Sequence, residues 1–183
     1  MTSSQTTSGS QDDPVVVLPG AAVGDWFVLH AKPRQEKALA AALEQMHIAC
    51  FLPLQNLVRS HGGRKTQVEL PLFPGYLFLR GSVEQAYDAD RTRRVVSIIR
   101  VVDQKQIEDD LLNIARALRG KAPLLPYPYL KTGIRAEVRA GALRGLQGII
   151  ESRSSPQRLI LRVQTLGRAV SVEIDGSLLD PLE

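Results

Sequence analysis

The sequence predicts an α+β domain followed by a small all-β barrel, and three observations carry that prediction. Residues 25–119 interleave short β-branched or aromatic runs with two amphipathic helical patterns, which implies helices packed on a mainly antiparallel sheet. Residues 133–183 have no helical period, only short alternating runs between turn residues. Between the two lies GKAPLLPYPYLKTG, residues 120–133, whose three prolines forbid a continuing helix and favour an extended connection. The expected organisation is a disordered tail over 1–23, an N-terminal domain over 24–119, a flexible proline-rich linker over 120–133 and a barrel over 134–183.

The tail begins MTSSQTTSGSQDDP, too polar to offset its own ordering entropy. DWFVLHA then reads as a strand, and PRQEKALAAALEQMH as a helix entered at Pro33, with Leu39, Ala42, Leu43 and Met46 on one face. CFLPL and QNLVRS precede the Gly62-Gly63 turn, and TQVELPLF and GYLFLR follow it, a pattern of strands around a hairpin. VEQAYDA suits a short helix, RVVSIIRVV a buried strand, and QIEDDLLNIARALR a helix burying Ile107, Leu111, Ile114 and Leu118. In the second block Leu159, Leu161 and Val163 alternate along one strand, and Val170, Val172 and Ile174 along the next, separated by TLGR. About 50 residues is close to the lower limit for an independent core, so the barrel is expected to be marginally stable.

Composition narrows the function classes. With 44% hydrophobic and 23% charged residues the chain falls in the ordinary globular class, and no apolar stretch approaches the roughly 20 residues that cross a bilayer. Residues 1–13 contain no Lys or Arg, unlike a signal peptide, so a cytoplasmic protein without membrane attachment is expected. The single cysteine, Cys50, permits no internal disulfide and reads as a small buried hydrophobe. A net charge of +4 permits nucleic-acid contact without demonstrating it.

No constellation supports catalysis, a cofactor or a metal. His30, His47 and His61 fall on a strand, a helix end and a turn, with no spacing suited to ligation. Glu108-Asp109-Asp110 sits in a first helical turn, where negative charge complements the helix dipole. Gly141, Gly145 and Gly148 lack the Lys and Ser/Thr of a phosphate loop and read as turn glycines. The segment ELPLFPGYLFLR, residues 69–80, is more pointed: a Pro-Gly pair interrupts an apolar run between Phe73 and Tyr76. It reads either as a bulged core strand or as a break that re-aims the aromatics outward.

In order, WFVLHAKPRQEKA, LPLFPGYLFL, the proline-rich linker, EVRAGALRGLQGII and GRAVSVEID resemble the NusG family of transcription elongation factors, an N-terminal NusG domain followed by a KOW domain. The resemblance spans about residues 25–182 and implies a five-stranded, SH3-like barrel and a monomeric, non-enzymatic factor without cofactors. It implies that Phe73, Tyr76, Phe78 and His30 bind the clamp helices of the largest RNA polymerase subunit, with Phe73 and Tyr76 partly exposed. Within the family, KTQVELPLFPGYLFLR is similar to the specialised RfaH-like paralogues, which implies that Lys32, Thr92, Arg93 and Arg94 face the non-template DNA strand of the transcription bubble. The chain departs from that pattern at Arg94, where glycine is usual, and at Gln85 to Asp88. The resemblance also implies a partner for the barrel, a termination factor or a small-subunit ribosomal protein. On charge alone, Arg91, Arg93 and Arg94, like Arg64-Lys65 at the hairpin tip, equally suit solvated loops. Because KOW barrels also occur in ribosomal proteins, a ribosome-associated RNA-binding protein is the alternative. The period-two pattern of the barrel predicts strands over 158–174 in the free protein, with the barrel tethered and the clamp-binding face open.

Overall fold

The computed structural model describes residues 22–127, 133–150 and 157–182. The tail up to residue 21, residues 128–132 of the linker and the expected turn around Ser154-Ser155-Pro156 lie outside the described residues. The N-terminal elements run β1 (Asp25–Ala31), α1 (Glu36–Gln45), β2 (Ala49–Phe51), β3 (Leu54–His61), β4 (Arg64–Pro71), β5 (Tyr76–Gly81), α2 (Val83–Asp90), β6 (Val95–Arg100) and α3 (Gln104–Arg119). Four strands form an antiparallel sheet in the order β2-β5-β1-β6. Its two faces are explained by the alternation along β1. Phe27 and Leu29 point to a core shared with Leu39 and Leu43 of α1 and Ala86 of α2, while Trp26 and Val28 point to one shared with Ile107, Leu111 and Ile114 of α3.

Three local details refine the sequence reading. Helix α1 starts at Glu36, three residues after Pro33, because Arg34 takes a left-handed conformation (φ 62°) that no helix continues through. At the other end α1 stops at Gln45, with His47 left-handed (φ 56°) just beyond, so Met46 lies past the last turn and is 39% exposed. The break in ELPLFPGYLFLR is a turn between two sheets: β4 pairs with β3, and β5 enters the four-stranded sheet beside β1. Gly75 (φ 85°) supplies the positive φ, and the Tyr76 N–H donates to the Phe73 carbonyl at 3.0 Å.

The C-terminal half is a barrel of β8 (Ile134–Val138), β9 (Gln147–Ile150), β10 (Arg158–Val163), β11 (Arg168–Glu173) and β12 (Leu179–Pro181), as the alternation predicts. Leu159, Leu161, Val163, Val170, Val172 and Ile174 are all buried. The linker contributes a sixth strand, β7 (Leu125–Tyr127), which pairs with β11 and partly covers a small outer cluster of Ile149, Ile160 and Ala169. Residues 158–174 thus hold strands and a 3-10 turn at Gln164–Leu166, closed by Gly167 in the left-handed region (φ 59°).

The barrel does not stand clear of the N-terminal domain, as the sequence had implied. One hydrophobic cluster runs from Trp26 and Phe73 through α3 into Val138, Leu146 and Leu161 of the barrel. Helix α3 packs against β10 and the 3-10 turn, so it is sandwiched between sheet and barrel. The reason is a second face on α3, offset from the Ile107–Leu111–Ile114 stripe. Asp110 Oδ2 accepts the Gln164 N–H at 2.8 Å, Asn113 Oδ1 accepts the Gln147 N–H at 3.1 Å, and Arg116 Nη1 donates to the Gly145 carbonyl at 2.9 Å.

Candidate interaction surface

One end of β1 gathers most of the sequence-selected residues. His30 stands opposite Tyr76 on β5 and Ser97 on β6, and Ala31 opposite Val95 across a register shift. The His30 imidazole stacks on the Tyr76 ring with centroids 5.0 Å apart and planes 18° from parallel. Both side chains are half-buried. The turn beneath them is fixed by Glu36, a nearly buried carboxylate whose Oε1 accepts the Gly75 N–H at 2.7 Å, while the Gly75 carbonyl accepts the Ala31 N–H at 2.8 Å. A carboxylate on a backbone N–H is a charge-assisted bond, stronger than a neutral one, so the aromatic pair is held on a stiff support.

Phe73 and Phe78 lie below that surface. Phe78 is fully buried between Phe51 and Phe73, with both ring centroids 6.4 Å away and the Phe73 ring edge-on. Phe73 is 2% exposed, so the expectation of a partly exposed Phe73 is not met in this arrangement. The physical reason is the cluster it shares with α3 and the barrel. The expected open face is also not seen, because the Arg168 guanidinium of the barrel lies over the Tyr76 ring, 5.3 Å from its centre, in cation–π geometry.

The cationic residues form the adjoining rim. The Lys32 N–H donates to the Arg94 carbonyl at 2.8 Å, which joins the loop after β1 to the loop before β6. Arg94 Nη1 donates to Gln35 Oε1 at 2.9 Å, whereas Arg93 is exposed in a left-handed conformation (φ 59°). Thr92 Oγ1 donates to the Ala89 carbonyl at 2.7 Å and accepts the Arg94 N–H at 3.3 Å, so its hydroxyl shapes the loop. The structure therefore brings His30, Tyr76, Lys32, Arg93 and Arg94 to one end of β1, with Phe73 and Phe78 supporting from inside.

Sequence reasoning passed over Glu36, Arg168, Asn113 and Arg116, and it placed Glu108-Asp109-Asp110 in a first helical turn; α3 begins at Gln104, so these residues lie beyond its first turn and Asp110 faces the barrel instead of complementing the helix dipole. Asp110 is nearly buried, and burial raises its carboxyl above its ordinary range against the opposing pull of the Gln164 N–H and Gln106. Among the described residues no group of three His, Cys, Asp or Glu side chains is placed to hold a metal ion, and no helix is long and apolar enough to cross a membrane.

Comparison with known proteins now adds to the geometry. The profile of the family described as "Transcription termination factor nusG" matches residues 24–116, just over half of the chain. The chain belongs to the NusG family. NusG proteins are non-enzymatic transcription factors that act with RNA polymerase, and the matched span of this NusG-family chain contains both the aromatic pair and the cationic rim. Among solved structures, the chain is similar to one described as "Domain interaction in Thermotoga maritima NusG", with 19% identity, 87% of this chain and 97% of that chain covered, and a TM-score of 0.43.

Proposed function

We propose that this NusG-family chain is an elongation factor of the specialised, RfaH-like kind, with residues 24–119 as its polymerase-binding domain and 134–183 as a KOW barrel. The observation that carries the reading is the juxtaposition at the end of β1. A stacked His30–Tyr76 pair on a rigid turn adjoins exposed Lys32 and Arg93, with Arg94 beside them. An aromatic patch offers large contact area at low entropic cost, and suits the apolar groove of a helical pair such as the polymerase clamp helices. The cationic rim suits the phosphates of the displaced non-template strand.

Binding that bridges the clamp and the strand favours the closed clamp by the difference in affinity between its states, which disfavours pausing and termination without any chemical step. Because Arg168 lies over Tyr76 and Phe73 is sealed in the shared cluster, the barrel has to move off before the whole face can be engaged. A barrel released in this way becomes available to a second partner, a termination factor or a small-subunit ribosomal protein.

The test is co-purification of RNA polymerase with the full-length chain and with Tyr76→Ala. Recovery should fall at least tenfold for the variant. Equal recovery would remove Tyr76 from the interface, and sedimentation with ribosomes in high salt without polymerase would favour the ribosomal alternative.

A further inference from the structure

We propose that the β3–β4 arm is a second nucleic-acid surface, a two-stranded ribbon that enters the major groove of duplex DNA. Among the described residues, strands β3 and β4 pair only with each other, in register from Leu54↔Pro71 at the root to His61↔Arg64 at the tip. At ~3.3 Å per residue the ribbon extends about 23 Å. Its end is narrow because Gly62 (φ 57°) and Gly63 (φ 80°) form a two-residue turn with positive φ at both positions. A two-stranded antiparallel ribbon is one of the two elements that the roughly 12 Å major groove of B-DNA admits.

The chemistry of the arm agrees with its shape. The window Arg59–Lys65 contains three basic residues and no acidic one. Glu69, near the root, is paired with Lys37 Nζ at 3.1 Å, which leaves the arm's distal part cationic. Behind the tip, exposed Asn56 and Gln67 are amides of the kind that read adenine edges, and Val58, 62% exposed, is suited to a thymine methyl group. The root of the arm also shares the start of α1 with the cationic rim. Lys37 holds Glu69, and Gln35, immediately before the helix, accepts from Arg94. Duplex DNA is favoured over duplex RNA because the A-form major groove is too deep and narrow for such a ribbon.

The proposal does not depend on polymerase binding and is tested without polymerase. Fluorescence anisotropy of the full-length chain with a 24-base-pair DNA duplex, over a series of salt concentrations, gives the slope of log affinity against log salt. Arg64→Ala/Lys65→Ala should lower that slope by about two, roughly one per lost phosphate contact. Arg135→Ala/Arg144→Ala, which removes two exposed charges from the barrel, should leave it unchanged. No duplex binding, equal losses in the two variants, or tighter binding of an RNA hairpin of the same length would each overturn the proposal. None of these outcomes would alter the co-purification result that tests the Tyr76 surface.

Discussion

Replacing Asp110, Asn113 and Arg116 together by alanine is expected to release the barrel from α3. Each contributes one side-chain hydrogen bond to a barrel backbone group, at 2.8, 3.1 and 2.9 Å. A bond of this kind is worth about 1 kcal/mol net, and the exposed Arg116 belongs at the lower end. The sum is about 3 kcal/mol, which shifts the docked-to-released equilibrium roughly 100-fold by the usual 1.4 kcal/mol per tenfold. Helix α3 itself should not suffer, since alanine is the best helix former, and its Ile107–Leu111–Ile114 stripe is untouched. Amide spectra of the full-length protein give the readout: Gly145, Gln147 and Gln164 should move, and the two halves should tumble independently. Unchanged shifts at these amides, with both halves still tumbling as one, would refute the reasoning and show that the apolar seam alone holds the barrel.

Three further outcomes follow from single groups. Gly75→Ala should cost about 1–2 kcal/mol in urea unfolding, because a Cβ would lie at an ordinary 3.5 Å from His30 Cδ2 and the strain comes from holding φ at +85°; no measurable loss would contradict this. The Cys50 thiol is pushed up from 9.0 to about 11 by burial, with the charge of Glu44 adding to it. Above pH 9 the unfolded chain loses this proton while the folded chain keeps it, so stability should fall between pH 9 and 11, and that fall should vanish in Cys50→Ala. Asp110, raised by burial from 3.8, holds its proton longer when folded than when unfolded. Its contribution is therefore greatest at low pH and declines as pH rises through the folded value, a decline that unfolding of Asp110→Asn at several pH values should lack.

The elements with a strong period were legible because their burial has one side. The β1 alternation, the Ile107–Leu111–Ile114 stripe and the barrel strands all appear where the sequence places them. The start of α2 is set by a capping box that the sequence reading did not use, with the Gln85 N–H donating to Ser82 Oγ at 3.3 Å and the Ser82 N–H to Gln85 Oε1 at 2.9 Å. The docking of the barrel was not legible. Asp110, Asn113 and Arg116 look like a solvent face, and their partners are backbone groups that no side-chain pattern marks. The start of α1 was misplaced for a related reason: Arg34 is left-handed between Lys32, which is tied to Arg94, and Gln35, whose N–H donates to the Lys32 carbonyl. The aromatics of Phe73-Pro74-Gly75-Tyr76 could be named from sequence, but which of them is buried depends on the Glu36–Gly75 bond and on the barrel above, both distant along the chain.

The central claim is that the His30–Tyr76 surface meets RNA polymerase once the barrel has moved away. A photo-crosslinking residue in place of Tyr76, carried in the full-length chain with and without the Asp110/Asn113/Arg116 replacements, tests it most directly. On irradiation with RNA polymerase, the account predicts a crosslink to the clamp helices of the largest subunit, several-fold stronger in the released variant, and a crosslink to the barrel when polymerase is absent. A released variant that crosslinks to no polymerase subunit would contradict it.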